Sequence, residues 1–183
     1  RNSYSNNSTA EIIVFSDILS LTDRVKVESY LAIKYGQTLD NSLGGATGDY
    51  LATTSALLWD ASLNPTYHND VIGIGRDDYQ ALYQKQSHTL FDTSRIYLST
   101  LTSSNVLNTG TFVNDVSYLL MGHNADRMWN VTLPATEIPI GLFNCDLYSR
   151  LEREWKVTKT NITEDFNWDI TLPIGAVPPN TSV

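Results

Sequence analysis

Residues 11–15, EIIVF, are an apolar run of β-branched and aromatic side chains, short enough to suit a strand covered on both faces rather than a free helix. The period then changes. Val27, Tyr30, Leu31 and Lys34 or Tyr35 recur at spacings of three and four, which predicts a helix over 21–35 with that face packed and Arg24, Lys26 and Glu28 toward water. Ser20 can cap it, Asp23 places an acid in the first turn where the helix dipole favours one, and Gly36 supplies a left-handed stop. Residues 37–49 are rich in turn formers and read as loop, apolar character returns over 50–60, and Asn64-Pro65 marks a turn. Residues 71–75, VIGIG, predict a strand whose alternate glycines leave one face bare for another backbone or an aromatic ring. Further strands are predicted over 82–87, 95–101, 116–122, 150–158 and 166–172, with turns at 105–110 and 124–127. About eight short strands and one amphipathic helix give a mainly β class, a β-sandwich or jelly-roll-like domain. The expected division is a polar arm over 1–9, a strand–helix connecting element over 10–36, the β domain over 37–175 and a linker over 176–183.

Two stretches carry a resemblance. The pattern A-E-I-I-V-F, L-S, R-x-K-V-E-S-Y-L-A-I-K-Y-G-Q-T-L, followed by W-D, N-D-V-I-G-I-G-R-D-D and L-x-Q-K-Q-S, resembles a module of very large surface proteins from Bacteroidota, over about residues 10–87. The resemblance implies a strand and helix that close or follow a concanavalin-A-like (laminin-G-like) sandwich, with a β-rich domain after them. It further implies export by type IX secretion, a cell-surface location, and work as an adhesin, gliding-associated protein or filament. The implied partners are other copies or neighbouring domains of the same surface protein, and no catalytic residues come with the resemblance. Whether residues 11–15 pair with this domain or with a neighbour stays open.

Charge and cysteine content narrow the picture. Twelve basic and twenty acidic residues leave a net charge of -8, which repels phosphates and argues against nucleic acid as a partner. One cysteine, Cys145, rules out an internal disulfide framework and reads as a small buried hydrophobe. No apolar run is long enough to span a membrane, no signal peptide is visible, and both ends are polar, so a segment of a longer exported protein is expected.

Candidate chemistry is sparse. Asp60, Asp70, Asp77 and Asp78, with Asn64 and Asn69, are the densest set of hard oxygen donors, and Asp70, Asp77 and Asp78 are the expected ligands of a structural calcium ion. Without a calcium-loop spacing they read equally as turn formers beside strands. Trp59 and Trp129, together with Tyr67 and Trp168, are candidates for stacking on sugar rings, which would make the chain a carbohydrate-binding module; core packing is the competing role. Glu152 and Glu154 flank Arg153 on a predicted strand and would share a face with Lys156, a glycosidase-like spacing, or simply a solvated face. His68, His88 and His123 form no metal-spaced pair. Gly73 and Gly75 do not open a dinucleotide loop, because Asp78 stands where a third glycine belongs and Asp77 would repel a pyrophosphate.

Overall fold

The computed structural model describes residues 9–42, 47–89, 94–126, 128, 130–132 and 149–171. The chain is mainly β with one helix. Helix α1 spans Leu21–Tyr35, and the strands follow as β1 Tyr50–Leu51, β2 Leu57–Trp59, β3 Asn69–Asp77, β4 Leu82–Gln84, β5 Gln86–His88, β6 Arg95–Tyr97, β7 Ser117–His123, β8 Asn130–Thr132, β9 Ser149–Leu151, β10 Trp155–Thr160 and β11 Asn167–Asp169. The central sheet has the order β10-β7-β3-β4, all antiparallel, and a second sheet has the order β11-β6-β5. Two hairpins, β1–β2 and β8–β9, stand apart from them. Cys145, Trp129, and most of the arm and linker expected at 1–9 and 176–183 lie outside the described residues.

The central sheet buries both faces, and its register sorts the core in two. Ile72, Ile74, Leu119 and Met121 meet Ile96, Leu98, Phe112 and Ile162 on the side of the second sheet. Val71, Tyr118 and Leu120 meet Ala32, Ile33, Leu58 and Trp59 on the side of α1 and the β1–β2 hairpin. This explains why β7 is buried at every position rather than alternately. The arrangement is a β-sandwich with a helix and a hairpin laid over one outer face.

Both glycines of β3 admit close neighbours, an aliphatic side chain at Gly73 and the expected aromatic ring and backbone at Gly75. A Cβ on Gly73 would stand 3.3 Å from Ile33 of the helix, whereas one on Gly75 would stand 2.4 Å from the Tyr118 ring and 2.9 Å from the Ser117 carbonyl oxygen. Gly75→Ala should therefore lower stability by about 1–3 kcal/mol through overpacking, and Gly73→Ala by less, as read by thermal unfolding. An unchanged melting temperature for Gly75→Ala would refute this packing.

Helix α1 has the predicted ends. Ser20 accepts from the Asp23 amide at 3.1 Å, and Gly36 stops the helix at φ 63° with its N–H donating to Ala32. Its buried face differs from the predicted one, being Val25, Ser29, Ala32 and Ile33. Ser29 tolerates burial because its hydroxyl donates to the Val25 carbonyl at 2.7 Å and accepts from the Leu51 amide at 2.9 Å. Val27, Tyr30, Leu31 and Tyr35 remain only partly covered, so the helix carries two apolar surfaces.

The strand predicted over 11–15 is also corrected. Residues 12–15 form no strand and are joined by no hydrogen bond to any described residue. Ile12 and Val14 are 77% and 86% exposed, Ile13 and Phe15 39% and 45%. The apolar pattern gave burial as the reason for the run, and the described residues provide it in part for Ile13 and Phe15 and hardly at all for Ile12 and Val14.

Candidate interaction site

Glu11 fixes the start of this segment to the helix. Its carboxylate accepts from Lys34 Nζ at 2.9 Å, from the Tyr35 hydroxyl at 2.9 Å and from the Tyr30 hydroxyl at 3.2 Å. The Lys34 and Tyr35 hydrogen bonds hold the carboxyl below the usual carboxylate range, and the same contacts push Lys34 and Tyr35 up. A depressed carboxylate tethers the segment above its ordinary pKa, and the tether is lost as pH falls through the lowered value. Acidification through that lowered value should therefore detach residues 11–15 from α1, seen as new mobility in their NMR signals. Glu11→Gln should leave those signals mobile and flat with pH; the wild-type pH response persisting in that variant would refute the clamp.

A groove of about 760 Å³ runs between this segment and the domain. Ile13, Phe15, Val27 and Tyr30 line one wall, and Thr54, Tyr79 and Val116 line the other. The second wall is made of three loops, and each holds a non-glycine residue in the left-handed region: Ser55 at φ 67°, Ala81 at φ 53° and Val116 at φ 51°. For Val116, β-branched, that conformation is costly and persists only where surrounding contacts impose it. The Asp115 carboxylate imposes it by accepting from both Asp78 N and Val116 N at 2.8 Å. Below the groove, buried Asp77 accepts from Thr53 N at 3.0 Å, from Thr53 Oγ1 at 2.7 Å and from the Tyr118 hydroxyl at 2.8 Å. The loops are thus anchored before any partner arrives.

The expected calcium ligands do not converge. Asp70 and Asp77 lie near opposite ends of β3, roughly 20 Å apart by strand rise. Asp77 is spent on Thr53 and Tyr118, while Asp78 takes two hydrogen bonds from Arg76, at 2.8 and 2.7 Å, which hold it below the usual carboxylate range. Among the described residues, no group of three or more His, Cys, Asp or Glu is placed to hold a metal ion.

Trp59 is not a stacking platform. It is 1% exposed, packs in the core, and donates from Nε1 to His68 Nδ1 at 3.0 Å, while His68 Nε2 lies 2.8 Å from the Leu39 carbonyl oxygen. Of the other aromatic candidates, Tyr67 donates to Glu154, and Trp168 is 40% exposed with its ring edge-to-face on Trp155. Glu152 and Glu154 lie in the link between β9 and β10 instead of on a strand, with Asn124 holding both of their carbonyls. A glycosidase-like pair does not form there.

A polar cavity lies at the far end of β3. Asp70, at φ 45°, places Oδ2 3.1 Å from His123 Nε2, and Arg153 Nη1 is 3.2 Å from the same nitrogen. His123 Nδ1 accepts from the Ala125 amide at 2.9 Å, which puts the ring proton on Nε2. The Thr38 hydroxyl beside them is taken by the Val71 amide at 2.8 Å. With its proton on Nε2, His123 donates to Asp70, and Arg153 Nη1, itself only a donor, is a neighbour of that nitrogen and not its hydrogen-bond partner; the cluster presents no activated nucleophile.

The family described as Domain of unknown function (DUF8202) matches residues 23–182. The chain belongs to that family. No curated protein and no solved structure matches it. The DUF8202 match begins inside the first turn of α1, so residues 11–15 lie outside it, while Tyr30, Lys34 and Tyr35, which hold Glu11, lie inside it. The groove therefore joins Ile13 and Phe15, outside that match, with residues inside it.

Sequence reasoning read Ile13 and Phe15 as part of a covered strand and Val27 and Tyr30 as a packed helix face, named none of them as a site, and did not single out Thr53, Thr54, Tyr79 or Val116. No local signal marks those four, since turns distant in the chain bring them together.

Proposed function

We propose that this chain is a non-enzymatic structural module of a large exported bacterial surface protein, an adhesin or filament, acting through protein–protein contact. One observation carries the reading: residues 12–15 are an apolar segment with no hydrogen bond to any described residue, next to Glu11, which is held by the helix. Unpaired strand edges with exposed apolar side chains are a template for pairing with another chain or domain. The partner the reading requires is a neighbouring β-domain with an open sheet edge, which takes residues 12–15 as a strand and buries Ile12 and Val14. A second copy pairing through the same four residues would add an edge but no covering layer. The resemblance to Bacteroidota surface proteins and the polar, acidic, cysteine-poor composition support an extracellular setting and export by type IX secretion. The burial of Trp59 removes one of the main supports for the carbohydrate-binding alternative.

The test is the native size of the protein released from its cells without denaturant. A very large or laddered species is expected, and chelation should leave it unchanged, because Asp70, Asp77 and Asp78 are each engaged with protein partners. A small monomer would overturn the reading.

A further inference from the structure

We infer that the groove beside residues 12–15 binds an arginine side chain of a partner protein, its guanidinium on the Asp115 carboxylate and its stem along the aromatic and apolar walls. The inference concerns the groove alone and stands whether or not residues 12–15 pair as a strand. It starts from the charges that line the groove, Glu11, Asp23, Lys26 and Asp115. Glu11 holds Lys34 at 2.9 Å and Asp23 lies 3.5 Å from Lys26, so each of these two acids has a lysine of this chain. Asp115 is exposed and forms no ion pair with any described residue. Its Oδ1 accepts from Asp78 N and Val116 N, and its Oδ2 takes no donor among the described residues. Arg76, the cation its field reaches, is held by two hydrogen bonds to Asp78, at 2.8 and 2.7 Å. The net charge of -8 on the whole chain adds to the attraction for a cation.

The walls say which cation fits. Phe15, Tyr30 and Tyr79 line the groove, and Phe15 and Tyr79 are 45% and 91% exposed. Aromatic faces attract cations, and a planar guanidinium stacks on them where a compact, strongly hydrated ammonium does not. The chain already makes one such arrangement in the same groove: Lys34 donates to Glu11, with its Nζ 4.8 Å from the centre of the Tyr30 ring. Asp115 and Tyr79 repeat the combination of carboxylate and aromatic ring on the loop wall, and Val116 beside them offers cover to a methylene stem. The exposure of Tyr79 favours a side chain carried by a protein over a free small molecule, because small-molecule sites enclose most of their ligand and this ring is open on one side. The two amide bonds to Asp115 and the left-handed Val116, at φ 51°, hold the carboxylate in place in advance, which lowers the ordering cost of docking.

The experiment titrates the full chain with the peptide acetyl-Ala-Ala-Arg-Ala-Ala-amide and follows the Phe15 and Tyr79 ring signals by NMR, with exposed Leu63 and Val106, outside the groove, as references. The same peptide with citrulline, the neutral isostere of arginine, and free ethylguanidinium are the comparison ligands. The expected result is a saturable shift at Phe15 and Tyr79 alone, with affinity about three- to fivefold weaker for the citrulline peptide and for Asp115→Asn, the size of one exposed charge pair. Asp115→Asn keeps an Oδ1 acceptor for the Asp78 and Val116 amides, and an unchanged melting temperature checks the loop; if the loop moves, the citrulline comparison in the unaltered protein decides. Equal affinity for the arginine and citrulline peptides, or no saturable shift at Phe15 and Tyr79, overturns the inference. Ethylguanidinium binding as tightly as the peptide assigns the groove to a free small cation and overturns the protein partner.

Discussion

Trp59→Ala should destabilise the protein by about 3–5 kcal/mol, the usual cost of emptying a buried tryptophan site. Trp59 is 1% exposed between α1, the β1–β2 hairpin and the central sheet, and a Cβ on Gly122 would come within 3.1 Å of its ring. The surroundings are too tightly fixed to collapse into the gap. His68 would lose the donor to Nδ1 as well, while Nε2 stays beside the Leu39 carbonyl, leaving the loop after α1 less firmly attached. Equilibrium urea unfolding checks this through the midpoint. Trp59→Phe, which keeps most of the volume and loses the N–H, should retain well over half of the lost stability. A Trp59→Ala protein with wild-type unfolding and altered ligand binding would return Trp59 to the surface role first expected of it.

The second large effect concerns Asp77. Its carboxylate is fully buried and takes hydrogen bonds from Thr53 N, Thr53 Oγ1 and Tyr118, and the Tyr118 hydroxyl also accepts from Gln80 at 3.0 Å. Burial, and then the carboxylate beside it, push the Tyr118 hydroxyl up, so it stays a donor throughout the pH range in which the protein folds. Removing the acceptor leaves several buried donors without a partner, each worth about 1–3 kcal/mol. Because these bonds share one group they do not add, and Asp77→Ala is expected to cost about 2–4 kcal/mol in total. A double-mutant cycle with Thr53→Val should return a coupling of about 1 kcal/mol or more. Additive single effects in that cycle would show that the Asp77–Thr53 contact does not anchor the loop.

Much of the fold was readable wherever the determinant is local. The bounds of α1 follow from Ser20, Asp23 and Gly36, all within one turn of the ends they fix. The bare face of β3 follows from Gly73 and Gly75; the Tyr118 ring over Gly75 is of the expected kind, whereas Gly73 admits the aliphatic Ile33 instead. The errors arise where distant chain decides. The core face of α1 turns on Ser29, whose burial is satisfied by Leu51, a residue of the following hairpin. Asp70 and Asp77 looked clustered in the sequence, yet an extended strand carries neighbours apart faster than a loop does. Glu152 and Glu154 followed an alternation that suited a strand, but β9 ends at Leu151 and β10 starts at Trp155. For residues 11–15, hydrophobic pattern says that a segment wants cover and is silent about which body covers it.

The two apolar surfaces of α1 have a consequence for descent with change. Val25, Ser29, Ala32 and Ile33 answer to the sheet beneath them, so substitutions there must be matched within the DUF8202 domain itself. Val27, Tyr30, Leu31 and Tyr35 answer to whatever lies along the segment and its groove. Among relatives the first set should drift in concert with β1, β3 and β7, and the second in concert with residues before position 23. One helix would then carry two independent histories, interleaved within a single turn.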